Sequence, residues 1–514
     1  MTTMSKENLV KKPLLSMLAG VTLVAPAILI ASPAVAGGGG GDGGGNGEPV
    51  APVTAGEPIT LAEGLVAPLT FAVSAEGVPY VSQNFAGLLT EVGAEGALTD
   101  IVTAPVGDEI GAVSTGDGLV YFSQSAPDLS ASTLNSVDVD GVVTEIADLR
   151  GYEEEANPDQ DSTYGFVGLT EECAAQIPAD PMGPSGEPYT GIVDSHPYAS
   201  LVTDEGIYIA DAGANAILLV DAEGEISTVA VLPPEPELTV TAELAASIEL
   251  PECTVDAGYI FEPVPTDVEL GPDGYLYVTT LPGGPEGPAA GARGSVYRVD
   301  PATGESELVA TGFAGATGLA VADNGTIFVA ELFGGAEGAG QISYVAVGSD
   351  TPALLIEVPA PAAVEISGDT LWATTSALPP EEPTVPEEPT VPEEPTVPEE
   401  PTVPEEPTVP EEPTVPEEPT VPEEPTVPEE PTVPEEPTGP SATGELTEIP
   451  LTWAAPVDDG NGDDGNGDNG NGDNGNGDDG HHWDHGDKNG HHGDKHWGDG
   501  DKWHHDSGHE WGDD

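Results

Sequence analysis

Positive charge is nearly missing from this chain: 9 Lys and Arg stand against 93 Asp and Glu among 514 residues, a formal net charge of −84. Between Lys12 and Lys488 the only basic side chains are Arg150, Arg293 and Arg298. Phosphate backbones and anionic membrane surfaces are gripped by cationic side chains, so neither nucleic acid nor an anionic membrane suits this chain as a partner. Cations, basic proteins and basic or cell-surface components do suit it, and an acidic surface also keeps an exported chain soluble in a salty medium. Long apolar runs are missing too, apart from one at the start; no later stretch could span a bilayer, and no sortase-type signal is visible near the end. Cysteine is scarce. None follows the early apolar run, which argues against a lipoprotein anchor, and the two that exist, Cys173 and Cys253, are expected to pair as a disulfide in an exported chain. The common catalytic signatures are absent as well: there is no Gly-x-Ser-x-Gly elbow, no Walker loop and no zinc-protease helix.

What is present begins with a secretory signal over residues 1–36. Lys6, Lys11 and Lys12 precede an apolar stretch from Leu14 to Ile30, interrupted by Pro26, and Ala34-Val35-Ala36 offers the small-x-small pattern that signal peptidase cuts. The expectation is a secreted, extracellular or cell-surface chain with no membrane span once processed. Residues 37–56 read as a Gly-rich linker. From Pro380 the chain runs through ten consecutive Pro-Glu-Glu-Pro-Thr-Val units, the last ending at Gly439, and from Asp458 it is mostly Gly, Asn, Asp, His and Trp. Such low-complexity segments cannot bury enough apolar surface to fold, which leaves roughly 320 residues for one large core.

Those residues repeat. Six times an apolar strand, a tight turn and a second alternating strand follow one another: around Glu76-Gly77, Asp117-Gly118, Glu205-Gly206, Asp273-Gly274, Asn324-Gly325 and Gly368-Asp369. These dipeptides suit hairpin turns with positive φ, and further strands often follow, as in Ile217–Val220 and Ile226–Val229. Four short antiparallel strands per unit, six units in order, predict an all-β six-bladed β-propeller over residues 57–456. Ile59–Ala62 precedes its own unit and should complete the sixth blade beside Glu445–Ile449, closing the ring and covering its edges. The proline repeat (380–439) is then an insertion in the last blade, a stiff polyproline-II arm whose two ends return to one hairpin. The long connections Gly151–Asp194 and Pro233–Pro263 flank blade three on one face, each with one cysteine, so a Cys173–Cys253 bond would clasp them together. Function collects on such loops.

Four motifs carry a family resemblance. Asp194-Ser195-His196-Pro197-Tyr198, Ile209-Ala210-Asp211-Ala212-Gly213-Ala214-Asn215-Ala216, Phe261-Glu262-Pro263-Val264-Pro265-Thr266-Asp267-Val268 and Leu281-Pro282-Gly283-Gly284-Pro285-Glu286 resemble the ScyD/ScyE family, named from the scytonemin sunscreen-pigment cluster. The resemblance covers about Glu57 to Trp453 apart from the proline arm. It implies an exported, NHL-like six-bladed propeller, and it implies no established reaction and no catalytic residues.

Inner strands begin near the central channel, where the topology gathers Asp194, His196, Tyr198, Glu262 and Asp267. His196 is the only histidine before the tail, hence the only candidate imidazole base of the domain. Together with Asp194, Glu262 and Asp267 it is also a candidate ligand set for a divalent cation such as calcium. The competing reading is that His-Pro-Tyr shapes a loop entry and the carboxylates cap turns, while Asp211 and Asn215 pin a blade turn. The disordered tail, 457–514, holds His481, His482, His485, His491, His492, His496, His504, His505 and His509, interleaved with Asp and Trp. Imidazoles bind transition metals and the Asp/Asn stretch before them offers calcium oxygen ligands, yet the spacing matches no defined metal motif, so a merely solvated tail competes with weak multivalent metal capture. Three functions follow from these readings: a non-enzymatic binding or structural module, a metal-dependent hydrolase, lactonase or sugar oxidoreductase at the channel mouth, and a metal-capturing tail.

Overall fold

Each hairpin unit folds into a four-stranded antiparallel sheet, and the six sheets are the blades of a β-propeller. The computed structural model describes residues 52–178, 186–285, 290–378 and 443–454, without the side chain of Glu337. The signal segment 1–36, nearly all of the linker, the proline repeat 380–439 and the tail 457–514 with its nine histidines lie outside the described residues.

From the inside outward, blade one is Phe71–Val73, Pro79–Gln83, Leu88–Val92 and Leu98–Thr103; blade two is Glu109–Gly116, Leu119–Ser125, Ser132–Val137 and Val143–Asp148. Blade three is Pro197–Thr203, Gly206–Asp211, Ala216–Val220 and Ile226–Val231; blade four is Pro265–Leu270, Leu276–Thr280, Gly294–Val299 and Ser306–Phe313. Blade five is Ala316–Val321, Ile327–Glu331, Gln341–Val345 and Ala353–Ile356. Blade six has Val364–Ser367 inside, then Thr370–Thr375, then Gly444–Trp453. Its outer strand is Ile59–Leu65, with Ile59 opposite Glu448 and Thr60 opposite Thr447. The turns form for the reason their sequences suggest. At Asp117-Gly118 both residues have positive φ, 53° and 76°, the backbone of a two-residue hairpin whose twist matches its strands.

Val53–Ala55, which the sequence places in the linker, is a strand that extends this last sheet by pairing with Leu451–Trp453. Its alternation explains the correction: Val53 is buried against blade five, Thr54 is exposed, and Trp453 meets Phe328 edge-on at 6.1 Å. The Ala454 amide donates to the Pro52 carbonyl at 2.9 Å, so the ring's first and last described residues are joined. The proline segment leaves and re-enters at neighbouring points, with Thr443 Oγ1 donating to the Ser376 carbonyl at 3.3 Å.

Blades adhere through apolar faces. Phe122, Phe328, Ile209 and Leu89 are wholly buried, and each such side chain stabilises the fold by roughly 1.5–3 kcal/mol. Hydrogen bonds cross between inner strands: Ser114 Oγ to Ser200 Oγ at 2.7 Å joins blades two and three, and Thr266 Oγ1 to the Ala316 carbonyl at 3.0 Å joins blades four and five.

The two long connections are not irregular loops. Thr163–Val167 pairs with Tyr189–Thr190 on one edge and with Gly258–Ile260 on the other, and Leu238–Thr239 completes a separate four-stranded sheet. Segments from both connections thus form one cap. Three short helices belong to it: Leu149–Ala156, Glu171–Ala174 and Ala242–Ser247, capped by Asp148, Thr170 and Thr241. Phe166, Tyr259 and Phe261 make its aromatic centre, with Phe166 and Tyr259 edge-to-face at 4.8 Å. The expected Cys173–Cys253 disulfide is present and ties the first connection to the second.

Candidate functional site

The cap rests on blade three through a set of buried carboxyls. Asp211, at the end of the strand Gly206–Asp211, is fully buried and accepts from Ser195 Oγ and the His196 amide, both at 2.7 Å, and from the Gly213 and Ala214 amides. Asn215 bridges the two connections: its Nδ2 donates to Asp159 at 2.8 Å and its Oδ1 accepts from the Val264 amide at 3.1 Å. Tyr164 donates to the same Asp159 oxygen at 3.0 Å. Gly191 lies so close against Asp159 that a Cβ there would overlap its carboxyl. Asp211 and Asn215 therefore act as pins, one at a blade turn and one across the cap.

His196 follows at once. Its Nε2 stands 3.3 Å from Glu109 Oε2, at the start of blade two's inner strand. Burial works against the imidazolium, but the Glu109 carboxylate, with Asp194 and Asp211 behind it, outweighs burial and raises the His196 pKa. Asp194 is raised by burial and pulled back by His196 and Arg150. Arg150 itself is engaged elsewhere, donating to the Val193 carbonyl at 2.7 Å and pairing with Glu154.

Glu153, on the helix Leu149–Ala156, is only 1% exposed, and the Asp194 amide is the one group that offsets the burial of its carboxyl. Burial, with Asp211, Asp159 and Asp194 nearby, pushes its pKa up to about 8. Glu262 is pushed up to about 7, chiefly by burial, while hydrogen bonds from Tyr189 and Asn215 work the other way. The structure thus brings Asp194, His196 and Glu262 into one acid-rich patch under the cap.

Asp267 belongs to another place. It lies on blade four's inner strand, where its two oxygens accept from the Val268 and Leu319 amides, at 2.8 and 2.7 Å. Its charge acts on Glu269, two residues along the same strand, and on Glu365 of blade six, which in turn acts on Glu269. All three line a narrow cavity on the ring axis, enclosed by residues from the inner-strand segments of all six blades, among them Thr70, Val113, Ser200 and Thr317. Burial first, and mutual repulsion second, raise the pKa of Glu269 and Glu365, and burial raises that of Asp267. Tyr198 feels Asp267 and Glu109 and is raised as well, mainly by burial.

Sequence reasoning did not reach Glu109, Glu153, Asp159, Glu269 or Glu365. For Glu269 a signal existed: residues two apart on a strand share a face, so Asp267-x-Glu269 put two acids on the channel side. Among the described residues, no group of three or more His, Cys, Asp or Glu side chains is placed to hold a metal ion. No described helix is long and apolar enough to cross a membrane.

No protein-family model matches the chain, and no curated protein matches it. Solved structures do. A virginiamycin B lyase from Staphylococcus aureus aligns at 14% identity over 62% of this chain and 81% of that one, with a TM-score of 0.35. The PQQ-bound aldose sugar dehydrogenase of Streptomyces coelicolor aligns at 16% over 64% and 94%, TM-score 0.37. Regucalcin, a calcium-binding protein from Agrobacterium tumefaciens, aligns at 15% over 62% and 83%, TM-score 0.33. The chain is similar to these propeller-type proteins, and no residue role is carried over from them.

Proposed function

We propose that this chain is an exported, non-enzymatic β-propeller of the ScyD/ScyE type, a binding module at the cell surface or in the extracellular matrix whose partners carry positive charge. The observation that carries the reading is the state of the one imidazole in the domain. His196 is buried 3.3 Å from Glu109, whose carboxylate raises its pKa and favours the protonated imidazole, the form that cannot act as a general base. Glu262 titrates near neutrality but is tied by Tyr189 and Asn215. The charge of the chain favours cationic partners, and the interlocked cap gives them a rigid surface.

Charge alone would attract polycations, so the test compares one chain in two states. Binding of a Lys-rich polymer to the native protein is set against binding to the same protein reduced, alkylated and unfolded, which keeps the carboxylates and loses the propeller. The reading expects the native form to bind at least tenfold more tightly; equal affinity refutes it. Turnover on a lactone, ester or sugar panel with added calcium or zinc, abolished by His196→Gln, would refute it equally.

A further inference from the structure

The axial cavity is acidic, ringed by the inner strands, and without a base. Its lining includes Asp267, Glu269 and Glu365 but no Lys, Arg or His. The three arginines of the domain are occupied elsewhere: Arg150 beside Glu154, Arg293 at the carbonyls of Pro282, Gly283 and Pro285, and Arg298 between Asp273 and Glu307. Asp267, Glu269 and Glu365 are half-buried, and carboxyls crowded in a narrow channel without a counter-ion are relieved by a proton or by a bound cation.

A second observation points at a ligand. Thr317, on blade five's inner strand, lines the same cavity, is 2% exposed, and its Oγ1 has no hydrogen-bond partner. A buried hydroxyl is seldom left unpaired, because an unmade hydrogen bond costs more than a made one contributes. The free space is small, enough for a group the size of a water molecule. That size and this lining together select a cation. Calcium or magnesium needs several oxygens at about 2.0–2.6 Å, and no trio of carboxylates here is placed to provide them. An N–H donor works across about 2.7–3.2 Å. A guanidinium, planar with five donors, is too broad, whereas an ammonium is a compact charge with three donors.

We propose that the channel is a binding site for a primary ammonium group, held by Asp267, Glu269 and Glu365 with Thr317 Oγ1 as a further acceptor. The proposal deepens the reading of the protein as a module for cationic partners, and it assigns the contact to an amine or lysine side chain that enters the ring axis. Burial raises the pKa of these carboxyls and a bound cation lowers it again, so uptake of the cation shifts them toward releasing protons into the medium.

Calorimetry of the full processed chain with methylammonium, guanidinium, potassium and calcium tests it. Methylammonium should bind at one site, with heats that differ between buffers of different ionisation enthalpy because protons are released. Guanidinium, potassium and calcium should each bind this site at least tenfold more weakly. The double variant Glu269→Gln/Glu365→Gln should weaken methylammonium at least tenfold, and Thr317→Val severalfold. These replacements conserve volume and remove crowded carboxyls or an unpaired hydroxyl, so their melting temperatures should hold or rise, which confirms that the variants are folded. Unchanged methylammonium affinity in the double variant, or equal affinity for guanidinium, overturns the proposal; calcium bound more tightly and lost in that variant makes the channel a metal site instead. Native-state binding of the Lys-rich polymer without methylammonium binding defeats the channel assignment alone. Methylammonium binding without fold-dependent polymer binding leaves the channel site standing and defeats the wider reading.

Discussion

The blades and the cap are held together by opposite means. A blade is a ladder of backbone hydrogen bonds with apolar residues on both faces, so its stability is spread over many modest contributions. The cap is built from strands as short as Tyr189–Thr190 and Leu238–Thr239, and it hangs on a few specific groups: one disulfide, Asp211, Asn215 and the buried acids around Glu153. Distributed contacts make a scaffold tolerant of substitution, whereas concentrated ones make a part that a single change can release. The face that carries the candidate site belongs to the second kind.

The largest effect should come from the covalent link. Replacing Cys173 and Cys253 by Ala opens a loop with a sequence separation of 80, which should cost about 4 kcal/mol by the loop-entropy relation. Amide exchange should locate the loss in residues 151–194 and 233–263 while the blade ladders stay protected; uniform loss across the blades would erase the contrast between the two regions. Next is Asp211→Ala, which strands the Ser195 hydroxyl and the three amides that the carboxylate satisfies and should destabilise by about 3 kcal/mol in denaturant titration. An effect below about 1 kcal/mol would mean that the pin is redundant.

Glu153 sharpens the comparison through pH. Its folded pKa, about 8, lies above the ordinary 4.5, so the unfolded chain gives up this proton first. Stability is therefore greatest below the lower value, falls as pH rises between the two, and levels off above the higher. Glu153→Gln should flatten that decline by about 2 kcal/mol between pH 5 and 8, read from denaturation midpoints across the range. A slope identical to the parent's would place the titration elsewhere. The smallest effect is Thr241→Ala, which removes the cap from the helix Ala242–Ser247 and should cost about 1 kcal/mol, felt in cap proteolysis before any change in blade unfolding.

The same contrast decides what could be read from the sequence. Blade strands are legible because a pleated ladder with one face against the next blade imposes a period of two, and because Asp117-Gly118 and its counterparts mark where the chain reverses. The cap strands left no such trace. A two-residue strand such as Tyr189–Thr190 has no period, and its pairing with Thr163–Val167 is set by where the flanking blades bring the chain. The helix Leu149–Ala156 had a local cue in Asp148, but within a connection flanked by strands it passed for loop. Site residues divide in the same way. Asp194, His196 and Glu262 stand out because they open inner strands or lead into them, whereas Glu109 is 87 residues before His196 and only the ring's curvature sets it at 3.3 Å. Val53–Ala55 escaped because its partner lies almost 400 residues away.

That partner pairing has an engineering consequence. The Pro52 carbonyl and the Ala454 amide share a hydrogen bond, so a short peptide bridge could splice the two positions without moving either. New termini could then be opened in the segment between Leu378 and Thr443, whose flanks meet at Ser376. The permuted protein would begin inside what is now its last blade and keep every ladder, since a closed ring has no privileged starting point.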